Sequence, residues 1–199
     1  MKQSLFAAAL LFLLSCNNGR NSDIKNAVDS AAVIAQPVQN SDAANAAINF
    51  LKWYKQHRDT ITKIEMVNNV TYGENEKGKP YSVNFGKAQE YLSALRASGY
   101  ISDKYMSNQM DYYKKCDKYF KENPELGGPP VGFDFDLVLW TQEIESTLAA
   151  IDTAKVMEQV TGSDTAAVTL DVMMQLKFRM SKAGGKWLID NIENVTQLH

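Results

Sequence analysis

Apolar residues occupy every second position from Val168 to Met180: Val168, Leu170, Val172, Met174, Leu176, Phe178 and Met180. Thr169, Asp171, Met173, Gln175, Lys177 and Arg179 stand between them. Side chains alternate faces along a strand, so this run predicts one long strand with a buried face and a wetter one. Before it, Val156, Glu158 and Val160 alternate with Met157, Gln159 and Thr161; after it, Trp187, Leu188, Ile189 and Ile192 mark another strand. Gly162-Ser163-Asp164 and Ala183-Gly184-Gly185-Lys186 separate the three runs, and short glycine-bearing turns between such runs are a hairpin signature. The chain is expected to end in a three-stranded antiparallel meander. A central strand of about 13 residues is well beyond the usual five or six and should bend.

Upstream the spacing is helical. Ser41-Asp42 is an N-cap signal, followed by Ala44, Ala47, Ile48, Leu51 and Tyr54, a stripe that Phe50 and Trp53 widen. His57 and Arg58 fall in its last turn, where cations suit the helix dipole. From Ile61 to Tyr72 the pattern is ambiguous: Ile64, Met66, Val70 and Tyr72 fit one strand face, but Asn68-Asn69 interrupts it. Tyr81 to Phe85 reads as extended, and Asn84 caps a helix with Phe85, Ala88, Tyr91, Leu92 and Leu95 as its stripe and Gly99 at its end. Ser102 caps a third helix, with Ile101 and Met106 placed as a hydrophobic staple, running to Glu122 before Asn123-Pro124. Along it Tyr105, Gln109, Tyr112, Cys116 and Tyr119 share a line, flanked by Met106, Tyr113 and Phe120. The pairs Asp111/Lys115 and Asp117/Lys121 read as a solvated face. Asp134 or Asp136 is then expected to cap a short helix through Leu137, Trp140, Ile144 and Leu148. Helices first and strands last predict an α+β fold, N-terminal helices packed on a bent, cone-like C-terminal antiparallel meander.

The first 16 residues, MKQSLFAAALLFLLSC, change the picture of where the domain lies. Lys2 precedes an apolar run of about ten residues, short of the ~20 that span a bilayer but suited to an export signal. Leu13-Leu14-Ser15-Cys16 resembles the bacterial lipoprotein signal, with Leu14 where a smaller residue is usual. That resemblance implies cleavage before Cys16, a diacylglycerol on its sulfur and acylation of the new amino group, which together anchor a protein stably. An ordinary secreted leader with a chance cysteine is the plainer alternative. Asn17 follows rather than Asp, which points to the outer membrane. Residues 16–42 are rich in Asn, Ser, Asp, Ala and Gln and read as a disordered tether. The expected organisation is a signal peptide at 1–15, the tether at 16–42 and one domain at 43–199.

Charge and cysteine count remove several functions. The formal charge is −2 with no basic stripe, against nucleic-acid binding. Cys116 has no intramolecular partner once Cys16 is lipidated, and its place in an apolar stripe marks a core thiol. Gly73-x-x-x-x-Gly78-Lys79 matches a phosphate-binding loop except that Pro80 replaces the hydroxyl residue and two glutamates lie inside, so it reads as a polar turn. No His/Cys/Asp/Glu cluster has metal-ligand spacing, and no cofactor is expected. His57 at a helix end and His199 at the terminus are poorly placed as general bases.

Several motifs taken together carry a family likeness: Phe50-Leu51-Lys52-Trp53-Tyr54, Tyr81 to Phe85, Ser98-Gly99-Tyr100-Ile101-Ser102-Asp103-Lys104-Tyr105, Gly132-Phe133-Asp134-Phe135-Asp136 and Lys186-Trp187-Leu188-Ile189-Asp190-Asn191-Ile192. Over roughly residues 44–195 the chain resembles a family of uncharacterised bacterial exported lipoproteins with the cone-shaped fold of nuclear transport factor two and ketosteroid isomerase. That fold hosts both enzymes and non-catalytic binders, so the likeness leaves the activity open. The expected function is a non-catalytic binding module for a small apolar ligand or an envelope protein, anchored to the membrane through the Cys16 acyl chains. Trp53, Tyr81, Asp134, Asp136 and Trp140 are its candidate ligand-binding residues, and Met173, Met174 and Met180 a deformable lining. The alternative is an isomerase-, dehydratase- or hydrolase-type enzyme using Asp134 or Asp136 with Tyr81. On a strand the two aspartates share a face where one raised pKa would serve acid–base work, whereas a helix cap and a loop carboxylate are their plainer roles.

Overall fold

Capping residues set the helix starts where the sequence places them. In the computed structural model, which describes residues 41–71, 78–124 and 126–196, α1 spans Asp42–Ile61 and Ser41 Oγ accepts from Ala44 N at 3.1 Å. Ser41 and Asp42 thus belong to the helix start rather than to the tether. The leader, Cys16, the rest of the tether, most of the polar turn and His199 lie outside the described residues. After α1 come β1 (Val67–Asn68) and β2 (Ser82–Val83), an antiparallel pair. Asn84 caps α2 (Phe85–Arg96), and Ser102 caps α3 (Asp103–Glu122). A shorter α4 (Ile144–Ala150) and a 3-10 turn at 151–153 lead into β3 (Lys155–Thr161), β4 (Thr165–Asp171), β5 (Gln175–Ala183) and β6 (Lys186–Asn194). The strands form one antiparallel sheet in the order β3-β4-β5-β6. The fold is α+β, with helices preceding the sheet.

The long alternating run is a hairpin, not one strand. Asp171 pairs with Gln175, Val172 N donates to Met174 O at 2.9 Å, and Met173 turns the chain at φ 72°. Asp171 Oδ1 accepts from Met173 N at 3.2 Å, the local bond by which Asp stabilises a turn. A three-residue turn keeps the parity of the alternation, so Val168 faces Phe178 and Leu170 faces Leu176 on one buried side. The period-two pattern passes through the turn without a break. Met173 itself projects from the tip, 68% exposed.

Two bulges bend the strands. Val156 opposes Leu170 and Glu158 opposes Thr169, leaving Met157 as an extra, exposed residue. On β6, Asn191 opposes Arg179 and Ile189 opposes Met180, so Asp190 is the extra residue, and both Ile189 and Asp190 are buried in succession. The bulge turns Asp190 toward the start of α3, where it accepts from Ser102 Oγ at 2.7 Å and Ser181 Oγ at 3.0 Å. Beside it, Tyr100 to Ser102 run parallel to β6, with Ile189 N on Tyr100 O and Ser102 N on Ile189 O.

One face of the sheet meets the helices. Phe178 lies between Val168 and Ile192 across three strands, all buried, and α1 and α3 both pack on β6. Small residues Ala43, Ala44 and Ala47 are fully buried on α1, which lets its backbone approach, and Phe50, Leu51 and Tyr54 fill the space beyond. The stripes differ in detail from the sequence pattern. Phe85, at the first turn of α2, and Tyr119 on α3 are exposed. The buried line of α3 is Tyr105, Gln109, Tyr113, Cys116, Asp117 and Phe120. Asp117 is therefore interior: its carboxylate takes Val83 N at 3.0 Å and Lys121 Nζ at 2.7 Å, joining β2 to α3. Asp111 pairs with Lys114 rather than Lys115. The helix expected from Asp136 begins only at Ile144, because residues 133–141 take a different path.

Candidate functional site

That path is set by a single carboxylate. Asp136 has a fully buried side chain, and its two oxygens receive four donors. Oδ2 takes Tyr54 OH at 2.8 Å and Arg58 Nε at 2.9 Å, both from α1. Oδ1 takes Val138 N at 3.0 Å and Leu139 N at 2.9 Å. A carboxylate offers about four lone-pair sites, so each is used. Asp136 does act as a cap, but for one isolated turn: its carbonyl accepts from Trp140 N at 2.7 Å, and its own N–H donates to Thr141 O at 3.0 Å. The next residue in a helix would keep a negative φ; Trp140 instead has φ 55°, a left-handed conformation costly for a bulky side chain. Leu137, Val138 and Leu139 are buried beneath this turn, which holds it in place.

The electrostatics follow from this arrangement. Burial, then the Asp136 charge, hold the Tyr54 hydroxyl far above its ordinary pKa, so it donates at all physiological pH. Burial alone would lower the pKa of Arg58, but its bond to Asp136 outweighs that and raises it. Asp134, two residues from Asp136, is exposed and, among the described residues, accepts a hydrogen bond from Gln142 Nε2 alone, at 3.4 Å. Because 133–141 is not a strand, the two carboxylates occupy different environments and do not form an acid–base pair. One is consumed and the other is in water.

Trp140 lines a cavity of about 480 Å³ between α3, the 133–141 loop and β6. Its walls include Tyr112 and Phe135, whose ring centroids lie 5.5 Å and 5.4 Å from that of Trp140, and Ile192. Asn108, Gln109, Asn191, Glu193 and Asn194 supply polar groups. Most of these are spoken for: Asn108 Nδ2 donates to Asp190 O, Asn191 Nδ2 to Glu193 Oε1, and Asn194 Nδ2 to Trp140 O. Two are not. Gln109 Oε1 and Trp140 Nε1 are shielded from solvent and have no hydrogen-bond partner among the described residues. An apolar cavity of a few hundred Å³ with a few uncommitted polar groups is the usual form of a small-molecule site.

A second cavity, about 760 Å³, lies between the end of α1, β1 and residues 129–137. It is larger, but Arg58 and Asp136 on its wall are already bound to each other. Asp134 and Phe135 also line it.

Among the five residues expected at a site, Trp140 is at the first cavity and Asp134 and Asp136 at the second. Trp53 and Tyr81 line neither. Trp53 stacks on His57 at 4.4 Å, and His57 Nδ1 donates to Trp53 O. Tyr81 is a buried brace, its hydroxyl donating to Gly128 O at 2.7 Å and its ring edge-on to Phe120. Met173, Met174 and Met180 line neither cavity; Met180 is in the core. Sequence reasoning passed over Gln109, although an amide on the aromatic line of α3 was a visible signal. Cys116 is buried against Tyr112, and burial pushes its thiol above the usual range. Gly132, at φ 82°, lies where a Cβ would stand 2.9 Å from Cys116 Sγ.

Among the described residues no group of His, Cys, Asp and Glu is placed to hold a metal ion, and no helix is long and apolar enough to cross a membrane. Compared with known proteins, the chain matches no family model, no curated protein and no solved structure.

Proposed function

We propose that the protein is a lipid-anchored component of the bacterial envelope, of the outer membrane facing the periplasm. In this reading its folded domain is a non-catalytic binding module for a small apolar ligand. The leader ending at Cys16 supports the anchor, and the likeness to exported lipoproteins with a cone-shaped fold belongs to the same proposal. The observation that carries the binding reading is the cavity of about 480 Å³ walled by Tyr112, Phe135 and Trp140. Asp136, which a carboxylate-dependent enzyme would need as its base, has all its acceptor sites filled, and this favours binding over catalysis.

Native mass spectrometry of the full protein, extracted from its own envelope, tests the ligand. A small molecule should accompany the wild type and be lost from Trp140→Ala. A protein companion instead would transfer the reading to an envelope partner, and no companion would overturn it. Cys16→Ala should release the protein from the membrane fraction; unchanged partitioning would refute the anchor.

A further inference from the structure

Gln109 and Trp140 approach one cavity from different elements, α3 and the 133–141 loop. Each brings an unmet polar atom, an acceptor in Gln109 Oε1 and a donor in Trp140 Nε1. Buried polar groups without partners cost stability, so two of them on residues that line one cavity call for an explanation outside the fold. Tyr113 OH is unpartnered as well, but it lies at neither cavity, with its ring against Phe133 and Tyr112. Gln109 is 3% exposed, so its side chain is packed and its amide oxygen is shielded from solvent.

The charge around the cavity narrows the ligand further. Glu193 is the one ionisable carboxylate or cation on its wall, and it already accepts from Asn191 Nδ2 at 2.7 Å and Arg179 Nε at 3.4 Å. An anion would meet that carboxylate, and a cation would compete for it with Arg179, whose guanidinium already balances its charge. A neutral group that donates and accepts at once meets neither obstacle. The remaining wall is aromatic, with the rings of Phe135 and Trp140 inclined by 33° and Tyr112 edge-on to Trp140 at 74°.

Resting on the binding reading above, we infer that the cavity takes a neutral ligand with a flat apolar body and a carboxamide group. The carboxamide N–H donates to Gln109 Oε1, and its carbonyl accepts from Trp140 Nε1. A Gln side chain turned end for end would offer N–H in place of oxygen, and a carboxamide complements that arrangement too. Both protein atoms are covered in the free chain, so the ligand gains them by turning the Trp140 indole. That ring is only half-buried and stands on the left-handed residue of its loop.

The test follows the three indole N–H signals of the chain carrying Cys16→Ala by nitrogen–proton NMR, with Trp140→Phe identifying the Trp140 signal. Benzamide, benzoate, benzylamine and toluene are titrated in parallel, and thermal unfolding of each variant is recorded without ligand. Benzamide should bind tightest and move the Trp140 signal. Gln109→Met should weaken benzamide about tenfold while leaving Tm unchanged or raised, because an unmet amide is exchanged for an apolar chain of similar shape. Toluene binding as tightly as benzamide, with no effect of Gln109→Met, would overturn the carboxamide while leaving an apolar binding module standing. Tightest binding of benzoate or benzylamine would overturn neutrality. A Gln109→Met variant with clearly lowered Tm would show that the amide is already partnered in the free protein, and failure of all four probes would also overturn the inference. The broader reading would still be judged by what accompanies the protein from its envelope.

Discussion

Two sets of buried polar groups sit a few residues apart on the 133–141 loop, and they are finished to different degrees. Around Asp136 every acceptor site has a donor, two from α1 and two from the loop itself. Around Trp140 and Gln109 a donor and an acceptor are left over beside a cavity. Folding alone rewards the first arrangement and penalises the second. Their closeness indicates a division of labour: the Asp136 set fixes the loop, and the fixed loop presents Trp140 in a conformation that a free chain would rarely adopt. A rigid element carrying an incompletely paired one is how a site is held ready for something else.

The largest effect should come from breaking the complete side. Asp136→Ala takes the acceptor from Arg58 Nε, the Tyr54 hydroxyl and two backbone N–H groups, leaving Arg58 only the more distant Asp59 at 3.7 Å, and should cost about 3–5 kcal/mol, read as a lowered urea midpoint. A loss below about 1 kcal/mol would mean that the network is ornamental. The indole signal of Trp140 should also collapse toward the position of an exposed Trp, whereas Trp187 should move less.

Next is the support on which the loop leaves α3. Gly132→Ala combines a left-handed φ with a contact inside van der Waals distance of Cys116 and Tyr112, and should cost about 2–3 kcal/mol by the same measurement. Asp117→Asn should cost less, about 1–2 kcal/mol, because its Lys121 partner is solvated. Burial would raise the Asp117 pKa, but the Lys121 ammonium and the Val83 N–H outweigh it and hold the carboxyl below its usual range. Its contribution is therefore complete above the unfolded value of about 3.9 and is lost as pH falls through the lower folded value. Urea midpoints of wild type and Asp117→Asn should converge as pH is lowered through that window; a gap that widens would reverse the sign.

The smallest effect belongs to the incomplete side. Gln109→Met removes an unmet oxygen and should change stability by no more than about 0.5 kcal/mol or increase it, while Trp140→Phe also gives up part of the ring packing on Tyr112 and Phe135 and should cost about 1 kcal/mol. Destabilisation comparable to Asp136→Ala would erase the distinction between the two regions.

What could be read from the sequence follows the range of the interactions. The starts of α1, α2 and α3 were legible because Ser41, Asn84 and Ser102 act on residues three positions ahead. The α+β order was legible because the period changes from helical to alternating. The hairpin turn at Val172–Met174 was hidden, since an odd-length turn preserves parity and carries no Gly, Asn or Pro; only Asp171 two residues before Met173 hinted at it. The helix expected through Leu137 and Trp140 imitates true spacing, but the Asp136 interactions override it, and their partners on α1 are 82 and 78 residues away. The same distance hid the roles of the site residues. Trp140 stood out by type, Gln109 was camouflaged as one polar position on a helix, and Trp53 and Tyr81 were aromatic residues of the kind that packing uses more often than binding does.

The strand order β3-β4-β5-β6 also governs how the chain can reach this structure. Each hairpin closes between neighbours in sequence, so the sheet can grow one strand at a time over short loops, the fast route for β structure. The packing of α1 and α3 on β6 has no such option. Ser102 and Asp190 are 88 residues apart, and α1 rests against β6, the last of the described strands. In a chain emerging from its amino end, the parts of α1 and α3 that pack on β6 stay uncovered until that strand arrives, although α2, β2 and β4 already cover other parts. Loss of β6 alone should therefore arrest folding with the helices formed but only partly covered, a state prone to aggregate.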